Sequence, residues 1–393
     1  MVRSLSAKGV LESLLRRGEV ASERVRDITL PASRIAGYPI RDAQAAAEFH
    51  ETLKYAEKRG AIAVEWVRGY IGHELARVRL RDAPALARFL GRPFLPEQVD
   101  QAFEALDLGG LPQWLQGALS QLRESWLRGA SRYALRVEDA GKLPLLIKAV
   151  RAIEALEPEG ALDFRQFGAR YLGDSKALRF LEAPLVALYR PRVGVELESR
   201  EVLAQLNLVP LSQPVLLRGP LTVFDGEHRV DARVQPYVGV PGALLQSCAL
   251  TAGPEYILTI ENQSSFNEYT ATFRDEGVVI YTAGFPVRAL QAFYRRLTAT
   301  SQAPVYHWGD TDVGGFRILK CLQQASAGIT VHPHLMGLDE GEAFSTKQMD
   351  DLKRLLPINP AVDPLVLDML ERGTGRLEQE QIVARRVPVA RPL

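Results

Sequence analysis

A chain of 393 residues is long enough for two or three domains, each with its own core. Its 48 Lys and Arg offset 47 Asp and Glu to a net charge of +1, so a nucleic-acid surface has to come from local clustering and not from a global basic excess. A hydrophobic share of 47% with 24% charged residues excludes a disordered or low-complexity chain, and no apolar run approaches the ~20 residues of a membrane span.

The N-terminus lacks the apolar core of a signal peptide. Cys248 and Cys321 have no metal-ligand spacing and read as buried free thiols. Both features predict a cytoplasmic protein.

Residues 1–110 predict a mostly helical, arginine-rich domain. Leu11, Leu14 and Leu15 share one side of a first helix, and DAQAAAEFHETLKYAEKRGAIAVEWV (42–67) reads as a long helix running into a strand. RVRLRD (77–82) alternates arginine with apolar residues, which predicts a strand with a basic face; that face is either simply solvated or a phosphate-contacting surface. The Gly109-Gly110-Leu111-Pro112 turn marks a boundary.

From 111 to 240 the pattern is helical and then β. Three helical stretches followed by a short strand are compatible with a winged-helix module, with Arg165, Arg170 and Lys176 as candidate DNA contacts or ordinary surface charge. LTVF (221–224) and RVDARV (229–234) around Asp225-Gly226 predict a β-hairpin.

Residues 241–393 carry the chemistry. EYILTIEN (255–262), GVVIYTAG (277–284) and the start of PVYHWGDTDVGG (304–315) are short runs apolar on both faces, the mark of buried parallel strands. Val287, Leu290, Tyr294 and Leu297 repeat at helical spacing after Pro286, as do Phe316, Leu319 and Leu322 after the third run; ITVHPHLM (329–336) supplies a fourth strand. The β-α-β-α-β alternation predicts an α/β layer with a parallel, Rossmann-like sheet.

Ligands of such sheets sit at the carboxyl ends of the strands. Glu261 ends one strand and Asp310 and Asp312 end another, and residues two apart on extended chain point the same way. Gly309, Gly314 and Gly315 let the backbone turn tightly beside them. Three gathered carboxylates call for a hard divalent cation, so Glu261, Asp310 and Asp312 are expected to bind Mg²⁺ or Mn²⁺ in a phosphoryl-transfer site. Glu378 and Glu380 in the tail either complete the metal shell or, more simply, form a solvated strand or helix edge, and they stay outside the expected ligand set. His307, His332 and His334 lie in strands and lack zinc spacing.

A strand ending in Glu, then one ending in Asp-x-Asp with glycines after it, resembles the Toprim fold of topoisomerases, primases and some nucleases. ENQSSFNEY (261–269), YTAGFPVRAL (281–290) and YHWGDTDVGGFRIL (306–319) together resemble the JetD family, nuclease subunits of Wadjet plasmid-defence systems. RQFGARYLGDSKAL (165–178) and LEQEQI (377–382) resemble further elements of that family. The A subunit of type IIB topoisomerases is a more distant likeness. The chain departs from the family at Val313, where many relatives carry His.

The resemblance implies a C-terminal Toprim domain (241–393), a winged-helix-like DNA-binding domain (111–240) and an N-terminal arm (1–110). It implies a metal-dependent DNA endonuclease that hydrolyses circular plasmid DNA, with Glu261, Asp310 and Asp312 as catalytic metal ligands. It further implies work with an SMC-type ATPase, a kleisin and an accessory subunit; because one such site severs one strand, a double-strand break predicts a homodimer on double-stranded DNA, and no membrane partner is expected. Two alternatives keep the same fold: strand breakage by a tyrosine nucleophile, for which Tyr171 is best placed, and a non-catalytic DNA-binding scaffold. A haloacid-dehalogenase-like phosphotransferase is disfavoured, because its Asp-x-Asp motif belongs on the first strand of the sheet and here follows two strands.

Overall fold

Ile257–Ile260 is the strand around which the C-terminal half is laid out, and all four of its residues are buried. In the computed structural model, which describes residues 6–20, 28–156, 162–210, 213–337 and 341–388, it pairs in parallel with Val278–Tyr281 on one side and Val305–Trp308 on the other. Val331–Pro333 adds a fourth parallel strand beside Val305–Trp308. Beyond Val278–Tyr281 the sheet turns antiparallel, through Val215–Arg218 and then Val238–Val240, giving a mixed six-stranded sheet.

The sheet is covered on both faces, as strands apolar on both sides require. One face buries Ile257, Val278, Ile280 and Val305 with residues of the helices Arg288–Thr300, Val313–Ala325, Thr346–Leu355 and Asp363–Arg372. The other buries Tyr256, Leu258, Ile260 and Trp308 with Phe266 and Tyr269 of the helix Gln263–Thr272 and with Ile382, Ala384 and Val387 of the tail. Tail and sheet are further tied by Tyr306 Oη donating to Pro388 O (2.8 Å) and by the Arg386 ion pair with Asp275 (2.8 Å).

The expected hairpin is present, as Leu221–Asp225 against His228–Asp231 across Gly226 at φ 59°. With Cys248–Leu250 it forms a separate three-stranded sheet. Cys248 thus lies in a strand; it and Cys321 are buried, free thiols, and burial pushes them up to about 11 and about 12.

The chain divides into two compact units, Met1–Ile147 and Lys148–Leu393. The first combines helices with a three-stranded antiparallel sheet of Thr29–Pro31, Leu75–Leu80 and Ile62–Trp66. Its arginine-bearing strand forms as expected, but Arg77 and Arg79 both pair with Glu65 on the adjoining strand (3.1 and 3.0 Å). That basic face is therefore partly neutralised.

Candidate metal centre at the sheet switch point

Strand order reverses at Ile257–Ile260, since the next strand in sequence lies on one side and the one after it on the other. The crevice at the carboxyl end of such a switch point is where open α/β sheets take ligands. Glu261 stands at the end of this strand, and Asp310 and Asp312 just past the end of Val305–Trp308, on the two sides of that crevice.

Local chemistry fixes each acid. Both strand-to-helix turns carry a side-chain cap: Asn262 Oδ1 accepts from Ser264 N (2.7 Å), and Asp312 Oδ1 accepts from Gly315 N (2.8 Å). Glu261 Oε2 accepts the backbone N–H of Asp310 (3.2 Å), joining the two strand ends. Asp310 Oδ1 accepts from Gln379 N (2.7 Å), and Gln379 Oε1 accepts from Asn262 N (2.9 Å). Thr311 is fully buried and faces elsewhere, pairing with Leu377 through Thr311 N and Leu377 O (2.8 Å).

Two glycines are required by space. A Cβ on Gly315 would lie 2.0 Å from the carbonyl oxygen of Asp310. One on Gly309 would lie 2.8 Å from Glu261 Oε2 and 2.7 Å from His307 Nε2. His307 is fully buried, with Nδ1 2.9 Å from Thr259 Oγ1 and Nε2 without a hydrogen-bond partner. Burial pushes its pKa down to about 3, so the ring stays neutral.

The tail strand Thr374–Arg376 pairs with Glu342–Ala343, and the residues after it bring two more acids to the centre. Oxygens of Asp310, Glu378 and Glu380 all lie within 4.8 Å of one another. The sequence alone left Glu378 and Glu380 outside the site; the structure puts them against it. Glu380 also accepts a hydrogen bond from Asn262 Nδ2. Of the three acids expected from the sequence, Glu261 and Asp310 are bonded together, while Asp312 is adjacent with one oxygen committed to its helix.

Clustering shows in the electrostatics. Burial, and then the charge of Asp310, push Glu261 up to about 8, with Asp312 and Glu201 adding to the shift. Burial, and then Asp312, Glu378 and Glu380, push Asp310 up to about 6, against the Gln379 hydrogen bond. The donor set is entirely carboxylate oxygen, held together against its own repulsion, and it fits a hard divalent cation. Among the described residues no histidine or cysteine joins it.

The other candidates sort by packing. Tyr171 is half-buried and its ring lies 5.1 Å from that of Phe167. Arg165, Arg170 and Lys176 are exposed. His334 Nε2–H donates to Arg385 O (2.8 Å) and belongs to the tail contact.

Residues 226–389 match the family described as Wadjet protein JetD, C-terminal. This stretch is similar to the JetD C-terminal domain. The matched stretch contains every acid of the centre, from Glu261 to Glu380, and the tail segment that completes it. The Wadjet protein JetD of Bacillus cereus (strain Q1) is 24% identical over 289 residues, covering 69% of this chain and 69% of that protein, so the likeness extends well upstream of residue 226.

Proposed function

We infer that this chain is a metal-dependent DNA endonuclease of a Wadjet-type defence system, with a Toprim-like catalytic layer. The observation that carries the reading is the meeting of two strand-end carboxylates with two tail glutamates at the switch point. Glu261, Asp310 and Asp312 would hold Mg²⁺ or Mn²⁺, with Glu378 and Glu380 completing the oxygen donors. A bound ion would polarise the scissile phosphate and offset charge on the departing 3′ oxygen.

The chain's own residues preorganise that site. Gln379 N–H and the close approach of Gly315 hold Asp310, the Asp310 N–H holds Glu261, and the cap on Gly315 N fixes Asp312. Preset ligands avoid reorganisation when the phosphate arrives. Water serves as nucleophile in this reading, and the packing of Tyr171 on Phe167 supports leaving that tyrosine out of the chemistry.

The substrate is double-stranded, circular plasmid DNA, cut on both strands by a two-fold pair of chains. An SMC-type ATPase, a kleisin and an accessory subunit present it. The test is supercoiled plasmid incubated with this chain, with and without those subunits, in Mg²⁺, Mn²⁺ or chelator. Linear product only with metal supports the reading; no product under any combination ends it.

A further inference from the structure

The acidic centre has a basic neighbour in the same unit. A groove of about 1090 Å³ runs between the 195–200 segment, the start of the helix Val313–Ala325 and the helix Thr346–Leu355. Val313, the residue next to Asp312, lines it, so the groove reaches the edge of the candidate metal centre. Its cations include Arg190, Arg200, Arg317, Lys347 and Arg354.

These cations fall into two groups. Arg317 is committed to Glu198 and Glu201 (3.0 Å each) and Arg354 to Asp351 (2.9 Å). The groove's acids are largely consumed in this way, since Glu196 faces Lys320 at 4.0 Å. Among the described residues Arg190, Arg200 and Lys347 have no carboxylate partner; Arg190 reaches only Ser199 Oγ (3.4 Å), and its Nε is buried without any acceptor. An unpaired buried guanidinium nitrogen on a groove wall is costly until an anion fills it. Arg200 and Lys347 are exposed. The wall also presents Val195, 76% exposed, to whatever lies there.

We propose that this groove holds the phosphodiester backbone of the DNA strand that runs to the metal centre, with Arg190, Arg200 and Lys347 on its phosphates. The proposal rests on the nuclease reading and adds the path of the substrate. A chain of evenly spaced single charges suits separated cations along a groove, and arginine's planar fork matches phosphate oxygens. These cations would meet backbone and not base edges, so the groove positions the strand without reading its sequence.

The test is fluorescence anisotropy of a labelled duplex in chelator, where no cleavage occurs, across a series of salt concentrations. R190Q/R200Q/K347Q should bind at least tenfold more weakly at low salt. The slope of log affinity against log salt should fall by about 0.9 for each phosphate left without its cation. R200Q/K347Q, which leaves the partly buried Arg190 in place, should fall by about two such steps and keep the wild-type melting temperature. Mn²⁺ affinity should be unchanged in both variants.

Unchanged affinity and slope in both variants, with metal-dependent cleavage intact, overturn the groove and leave the nuclease reading standing. Normal DNA binding with lost assembly onto the partner subunits would make the groove a protein surface, and also overturns the proposal. Failure of the wild type to bind DNA even at low salt overturns both readings.

Discussion

Replacing Glu261 by Gln should stabilise the metal-free protein, and the gain should grow with pH. Glu261 rises from 4.5 unfolded to about 8 folded, chiefly through burial and the charge of Asp310. A carboxyl whose folded pKa is raised holds its proton more tightly when folded, so the unfolded chain binds fewer protons between the two values. Stability then falls as pH climbs from 4.5 towards 8. At about 1.4 kcal/mol per pKa unit the penalty at pH 7 is on the order of 3 kcal/mol, approaching about 5 kcal/mol at pH 8.

Glutamine keeps an oxygen to accept the Asp310 N–H and removes the charge. In chelator at pH 7 the variant should melt roughly 6–12 °C above the wild type, using about 2–4 °C per kcal/mol for a unit of this size. The gap should close near pH 5. Saturating Mg²⁺ should reverse the order, because a cation favours the ionised wild-type site. Differential scanning calorimetry at pH 5, 7 and 8, with chelator and with Mg²⁺, reads all of this. Equal melting of both proteins in chelator at pH 8, or a wild type whose stability is flat from pH 5 to 8, would mean that Glu261 is not held protonated by burial and its acidic neighbours.

Gly309→Ala should cost about 1–3 kcal/mol from overpacking and cut metal affinity. The added Cβ must displace either Glu261 or a His307 ring already held by Thr259, and a crystal structure with unmoved neighbours would count against it. Tyr171→Phe should cleave like the wild type and leave free DNA ends on denaturing gels; protein that remains attached to a DNA end in the wild type would contradict hydrolysis. Light scattering should give a homodimer, and a monomer both alone and on DNA would remove the two-fold pair.

The sequence made the acid-bearing α/β layer readable because its signals are local. Runs apolar on both faces identify Ile257–Ile260, Val278–Tyr281 and Val305–Trp308, and the acids at their ends follow from counting residues. The Asp225-Gly226 turn likewise identifies its own hairpin. Glu378 and Glu380 were not legible, because what brings them to Asp310 is a bond from Gln379 N across 69 positions of sequence. Their own stretch shows only alternating acids, the pattern of a solvated edge. The basic face of 77–82 was legible as alternation, but not its neutralisation, since Glu65 lies on another strand. Sheet order is equally non-local: nothing near Val215 or Val238 says that those strands extend the parallel sheet antiparallel.

Glu261, Asp310 and the tail glutamates are expected to form one divalent-cation site. Titration of Mn²⁺ into the chelator-treated protein, followed by electron paramagnetic resonance, tests it without requiring substrate. The wild type should show saturable binding. Asp310→Asn should weaken it at least tenfold, and Glu378→Gln with Glu380→Gln should weaken it measurably. Absence of saturable Mn²⁺ binding in the wild type, or unaltered binding in Asp310→Asn, would rule out a cation site at these acids.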